Sequence, residues 1–147
     1  MISLHEPTLL GNEKKYLQEC INSNWISTSG KFIDLFEKKI CSYTKSKYAI
    51  AVNSGTSALH ISLLLSNIKP GDEVIVPTVS FIAPVNAIFY CKANPIFMDV
   101  DNFLNIDIEK TISFLENETV TKRNITYNKK TKKRISTIVV VHVFGNL

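Results

Sequence analysis

Asn53, Ser54, Gly55, Thr56 and Ser57 stand between an uncharged apolar run, Tyr48 to Val52, and a stretch of helical periodicity carried by Leu59, Leu63 and Leu64. The apolar run reads as a strand covered on both faces, as in a parallel sheet. Gly55 can take backbone angles closed to other residues. Thr56 and Ser57 then fall where a helix begins, with free backbone N–H groups and two hydroxyls beside them. That is the chemistry of an anion site, most often a phosphate. The same residue types cap helix starts that bind nothing, so the turn is a candidate that the rest of the chain must support. It is not a P-loop, because no lysine follows the glycine, and it lacks the three-glycine dinucleotide fingerprint.

The elements that must position this turn alternate along the chain. Asn12 opens a helix to about Ser23, with Tyr16, Leu17, Cys20 and Ile21 on its apolar face. NWISTSG, residues 24–30, is a polar loop with the only tryptophan, and Trp25 is expected to pack on the body. Phe32 to Tyr43 is a strongly amphipathic helix. KPGDEVIVP gives a turn and a strand, Glu73 to Val76. A helix follows from Phe81 or Ile82, with Pro84 tolerated in its first turn. Pro95 to Met98 is the next strand, and Asp107 caps a helix carrying Ile108, Ile112 and Leu115. Residues 117–124 read as a weakly structured spacer. Residues 125–127, NKKTKK and the stretch from Arg134 read as a hairpin with a charged tip, and Ile138 to Val141 as the last strand.

Strand–helix alternation at this spacing predicts an α/β fold with a three-layer αβα sheet. In open α/β sheets, ligands sit beyond the carboxyl ends of the strands. Those ends are Asn53 to Gly55, Thr78 to Phe81, Asp99, and His142 to Gly145. They converge only if the strands are parallel. The rim then gathers a helix start, an aromatic ring, a carboxylate and an imidazole, which suits a cofactor pocket.

Composition narrows the partners. Of 17 basic residues in a chain of net charge +4, seven lie between Lys122 and Arg134, a segment without an acid, which leaves the remainder slightly acidic. A general nucleic-acid surface is disfavoured. The apolar runs are too short to span a membrane, and the N-terminus lacks a signal-peptide pattern. Cys20, Cys41 and Cys91 lack metal or redox spacing, which suits reduced thiols in a cytoplasmic protein. His5 reads as a surface residue, and His60 lacks a partner at metal spacing.

SGTSAL, GDEVIVPTVSFIAPVNAI, MDVD and VVHVFGN, with NWISTSGKFIDLFEKKI upstream, resemble the start of the DegT/DnrJ/EryC1 sugar aminotransferases. TYNKKTKKR resembles the branch that makes legionaminic-type nine-carbon sugars. The resemblance implies the N-terminal part of the large domain of the fold-type-I enzymes dependent on pyridoxal 5'-phosphate. It covers residues 1–147 as a single partial domain, with N-terminal helices over 12–43 and an αβα core over 48–147. Gly55, Thr56 and Ser57 would hold the cofactor phosphate, and Phe81 would stack on the pyridine ring. Trp25, Thr28 and His142 would lie near the substrate or a dimer partner. The implied substrate is a nucleotide-linked 4-keto-6-deoxy sugar, with glutamate as amino donor, in a homo-oligomer. Transamination also needs a Schiff-base lysine and an acid for the pyridine nitrogen. In the family both lie past the position matching Leu147, so no catalytic residue is assigned here. Three readings stand: the N-terminal portion of such an aminotransferase, a non-catalytic phosphate-binding or assembly fragment, and a portion of the dehydratase branch of the same family. The first carries a further expectation, that uncovered sheet edge makes the isolated chain self-associate.

Overall fold

The computed structural model describes residues 6–145; His5 and the last two residues of the VVHVFGNL end lie outside them. The chain divides after Ala51 into two compact units.

The first unit holds α1 (Glu13–Asn22) and α2 (Lys31–Thr44). Both follow from the apolar spacing in the sequence. Asn12 is the residue before α1, but its side chain makes no capping bond; instead the Glu13 carboxylate accepts from the Gly11 amide at 2.9 Å. The rings of Tyr16 and Phe32 meet at 5.0 Å, and Lys31 pairs with Glu19 at 3.1 Å. Lys45 ends α2 in the left-handed conformation.

The second unit is built on a five-stranded sheet of order β2-β1-β5-β4-β3. Its strands are β1 (Glu73–Pro77), β2 (Asn94–Met98), β3 (Thr119–Lys122), β4 (Ile125–Asn128) and β5 (Arg134–Ile138). β2, β1 and β5 are parallel, whereas β4 pairs antiparallel with β5 and β3 antiparallel with β4. Three helices flank it: α3 (Gly55–Leu65), α4 (Ile82–Tyr90) and α5 (Ile108–Asn117). Val74 and Val76 of β1 point to one face, where Leu63 of α3 and Val85 and Ile88 of α4 cover them. Ile75 points to the other, against Phe114 and Leu115 of α5. Period two along β1 and a helix layer on each face make this a three-layer αβα arrangement. Ser136 is an extra residue in β5: Glu73 faces Ile135 but Val74 faces Thr137. This bulge moves Ile135 to the α5 face and leaves Val139 on the other. No helix among the described residues is long and apolar enough to cross a membrane.

Three expectations need correction. Tyr48 to Val52 is extended but joins no ladder, and Ile50 is 84% exposed. The run finds no partner strand among the described residues, although β2 leaves an edge of the sheet open. The spacer over 117–124 contains β3, whose Val120 and Lys122 pair with Tyr127 and Ile125; threonines and a charged turn hid it. The last strand is Arg134–Ile138, not Ile138 to Val141. One strand serves both as hairpin arm and as parallel neighbour of β1, and its ladder ends with Val139 donating to the Ile75 carbonyl at 2.8 Å.

Candidate functional site

Chain direction brings the candidates of the second unit to one rim. The Gly71 amide, in the turn after α3, bonds the Lys92 carbonyl beyond the end of α4 at 2.8 Å. Both helices therefore finish at the side where β1 starts, and both begin at the side where it ends. Phe81 is the residue before α4. Asp99 follows β2, and His142 follows β5, each past the carboxyl end of a parallel strand.

At the start of α3 the Ser54 side chain, on an extended backbone, accepts from the Ser57 amide at 3.1 Å. Ser57 Oγ in turn donates to Asn53 Oδ1 at 2.7 Å. This is an ordinary N-cap, and it takes up the Ser57 amide that the sequence offered to an anion. The amides of Gly55 and Thr56 and the Thr56 hydroxyl have no hydrogen-bond partner among the described residues. They stand at the positive end of an 11-residue helix that has no acid in its first turn. A Cβ at Gly55 would meet nothing within 4 Å, so the approach is open. Phe81 presents its ring to solvent, 86% exposed. Two free amides, a free hydroxyl and a bare aromatic face on one rim are a donor set that fits a phosphate ester attached to a flat ring.

The other rim groups are differently placed. Lys110 of α5 bonds Asp99 Oδ2 at 2.5 Å and reaches Asp107 at 3.5 Å. The Lys110 hydrogen bond, then the Val100 amide, holds the Asp99 carboxyl below its usual range. The same bond to Asp99 raises Lys110, so its amine stays protonated and is no nucleophile. The sequence offered Asp99 as a free carboxylate; its partner, eleven residues away, becomes visible only when Asp107 caps α5 through the Lys110 amide at 2.9 Å. His142 is exposed and its carbonyl accepts from Gly145 at 3.1 Å, closing a short 3-10 turn, Val143–Gly145.

Trp25 and Thr28 belong to the first unit. Trp25 folds over its own loop, its indole N–H donating to the Ser29 carbonyl. Gly30, at φ +147°, makes room: a Cβ there would sit 2.4 Å from the indole ring. The loop and the start of α2 enclose a cavity of about 420 Å³ lined by Glu19, Cys20, Trp25, Ser27 and Ser29. Thr28 is exposed.

The model of the DegT/DnrJ/EryC1/StrS aminotransferase family matches residues 7–147. A GDP-perosamine synthase of Vibrio cholerae is 42% identical over 146 residues, which is 99% of this chain and 35% of that protein. One from Caulobacter vibrioides is 44% identical over 147 residues, again 35% of its length. Among solved structures, NtdA of Bacillus subtilis with the cofactor PMP bound has a TM-score of 0.70 at 31% identity, over 90% of this chain and 27% of that one. The chain spans about a third of the length of the curated relatives it matches. The matched segment spans the capped turn at Gly55, the exposed Phe81 and the three parallel strands that order them, and the chain belongs to the DegT/DnrJ/EryC1/StrS aminotransferase family.

Proposed function

We propose that this chain is the N-terminal part of an aminotransferase that uses pyridoxal 5'-phosphate and acts on a nucleotide-linked 4-keto-6-deoxy sugar, with glutamate as amino donor, in the cytoplasm. Family membership and relatives named GDP-perosamine synthase support the sugar-nucleotide reading. The observation that carries the cofactor reading is the pair of unpartnered amides at Gly55 and Thr56 on the rim that also holds Phe81. When bound, pyridoxal phosphate supplies the electron sink through which an amino group is exchanged.

In this reading the residues present bind and orient. Gly55 and Thr56 donate backbone hydrogen bonds to the phosphate, and the Thr56 hydroxyl adds a third. The Ser54 cap fixes the helix start so that these donors keep their direction. Ser57 joins by turning its hydroxyl from Asn53. Phe81 covers one face of the pyridine ring and excludes water from it. Lys110 neutralises Asp99, which lowers the negative charge on the rim. Trp25, Thr28 and His142 contact the substrate, and a second copy of the chain completes the site. No residue described here is assigned the amine or the ring-nitrogen acid. In the same reading residues 1–147 form one partial domain of the enzyme.

The test is equilibrium dialysis of pyridoxal phosphate and of pyridoxal against Thr56→Val and Phe81→Leu. Thr56→Val should weaken only the phosphorylated ligand, whereas Phe81→Leu should weaken both, since both share the ring. Wild-type affinity in both variants would contradict the reading.

A further inference from the structure

The β3–β4 ribbon takes no part in the rim described above. Val120 faces Tyr127 and Lys122 faces Ile125 across it, so these four side chains share one face. The opposite face, with Thr121, Thr126 and Asn128, is the one that continues to Ile135 and α5. Val120, Ile125 and Tyr127 form the floor of an open cavity of about 640 Å³. Lys122 and Arg123 line it at one end, Lys129 and Lys132 at the other. Lys122, Arg123 and Lys132 have no acidic partner among the described residues. Lys129 is held by the Asn117 carbonyl at 2.6 Å, which leaves further protons to donate. β3 is also the edge of the sheet. The Lys129–Lys132 tip precedes β5, so it lies at the end of the sheet away from the strand termini that carry Phe81 and Asp99.

We propose that this groove binds an extended acidic segment of a partner protein. The two cationic ends are set by Ile125, opposite Lys122, and by Lys129, four residues on, roughly 14 Å apart at about 3.4 Å per strand residue. Two carboxylates four residues apart in an extended peptide have that spacing. The side chain midway between them points the same way and meets the Val120–Ile125–Tyr127 floor. A nucleoside diphosphate gathers its charge at one end and reaches one cationic end of the groove only. A nucleic-acid strand, charged at every residue, has no use for an uncharged apolar centre.

The experiment uses the 147-residue chain and a fluorescent pentapeptide with glutamate at its first and fifth positions and phenylalanine at its third, read by anisotropy at low salt. The expected result is saturable binding that Lys122→Glu with Arg123→Glu weakens about tenfold, as does Lys132→Glu with Lys129→Glu. Raising salt from about 0.05 to about 0.2 M weakens it too. Lys38→Glu, on the exposed side of α2, should leave it unchanged, and circular dichroism checks that each variant folds. The proposal is overturned if a peptide with its glutamates two residues apart binds as tightly. It is equally overturned if a nucleoside diphosphate or an oligothymidylate displaces the peptide at lower concentration, if Lys38→Glu costs as much, or if the paired reversals change nothing.

Discussion

Replacing Gly55 by proline removes one N–H of the proposed phosphate site and sets the ring Cδ in its place. Gly55 is the first residue of α3, the helical position where proline is most at home, because its amide has no partner within the helix. The residue before a proline must be extended, and Ser54 already is, at φ −160° and ψ 158°. Nothing lies within 4 Å of a Cβ at Gly55, so that atom of the ring meets no obstacle. What disappears is the N–H assigned to the phosphate. A hydrogen bond to a charged acceptor is worth about 1.5–3 kcal/mol. Its loss should weaken pyridoxal phosphate by roughly 10- to 150-fold. Stability should hold or rise by about 0.4–1 kcal/mol, through the restricted unfolded chain. Equilibrium dialysis with pyridoxal phosphate and pyridoxal, beside thermal unfolding, reads both effects. The expected outcome is a selective loss for the phosphorylated ligand in a variant at least as stable as the parent. Undiminished affinity in a folded Gly55→Pro chain would refute it.

Three further outcomes follow from the packing. Asn128 Nδ2 donates to the Glu73 carboxylate at 2.9 Å, both residues being buried, while its Oδ1 accepts from the Lys130 amide at 2.9 Å. Asn128→Ala strands a buried carboxylate, and urea unfolding should show a loss of about 2–4 kcal/mol; a loss under about 0.5 kcal/mol, the ordinary surface range, would mean that water or another donor replaces the amide. Gly30→Ala must push Trp25 off the Ser29 carbonyl, so tryptophan emission should shift red and acrylamide should quench it faster; an unchanged spectrum would contradict the close approach. Lys110→Met should return the Asp99 carboxyl toward its ordinary value of 3.8. Because the folded pKa is depressed, the stability due to the pair is present above that ordinary value and fades as pH falls through the lower, folded one. The gap between wild type and variant should therefore close in acid, and a gap independent of pH would count against the pairing.

Much of the fold was legible where side-chain period and turn chemistry act locally. Asp107 capping α5, Phe81 preceding α4, and the Pro70–Asp72 turn into β1 are all set by neighbours within a few residues. The errors lie where pairing is long-range. Tyr48 to Val52 has the composition of a central strand, yet composition cannot supply the neighbour that makes it one. β3 is short and polar, and it exists because Glu118 and Lys129 continue its ladder with β4, the Lys129 amide donating to the Glu118 carbonyl at 2.8 Å. Arg134 bridges 62 residues to Asp72, and Asn128 bridges 55 to Glu73; no periodicity announces either. At the rim, the residue types at Gly55, Thr56 and Phe81 and the serine cap beside them were readable, whereas the neutralisation of Asp99 was not. It depends on rotamers that only the packed structure fixes.

The central claim, that the open amides at the start of α3 receive a phosphate, is tested most directly by amide chemical shifts. Pyridoxal phosphate titrated into the 15N-labelled chain should move the Gly55 and Thr56 amide protons downfield and leave Ser57, already bonded to Ser54, nearly still. Pyridoxal alone should move neither of the first two. If those two resonances stay put while the phosphorylated ligand binds elsewhere, the account is contradicted.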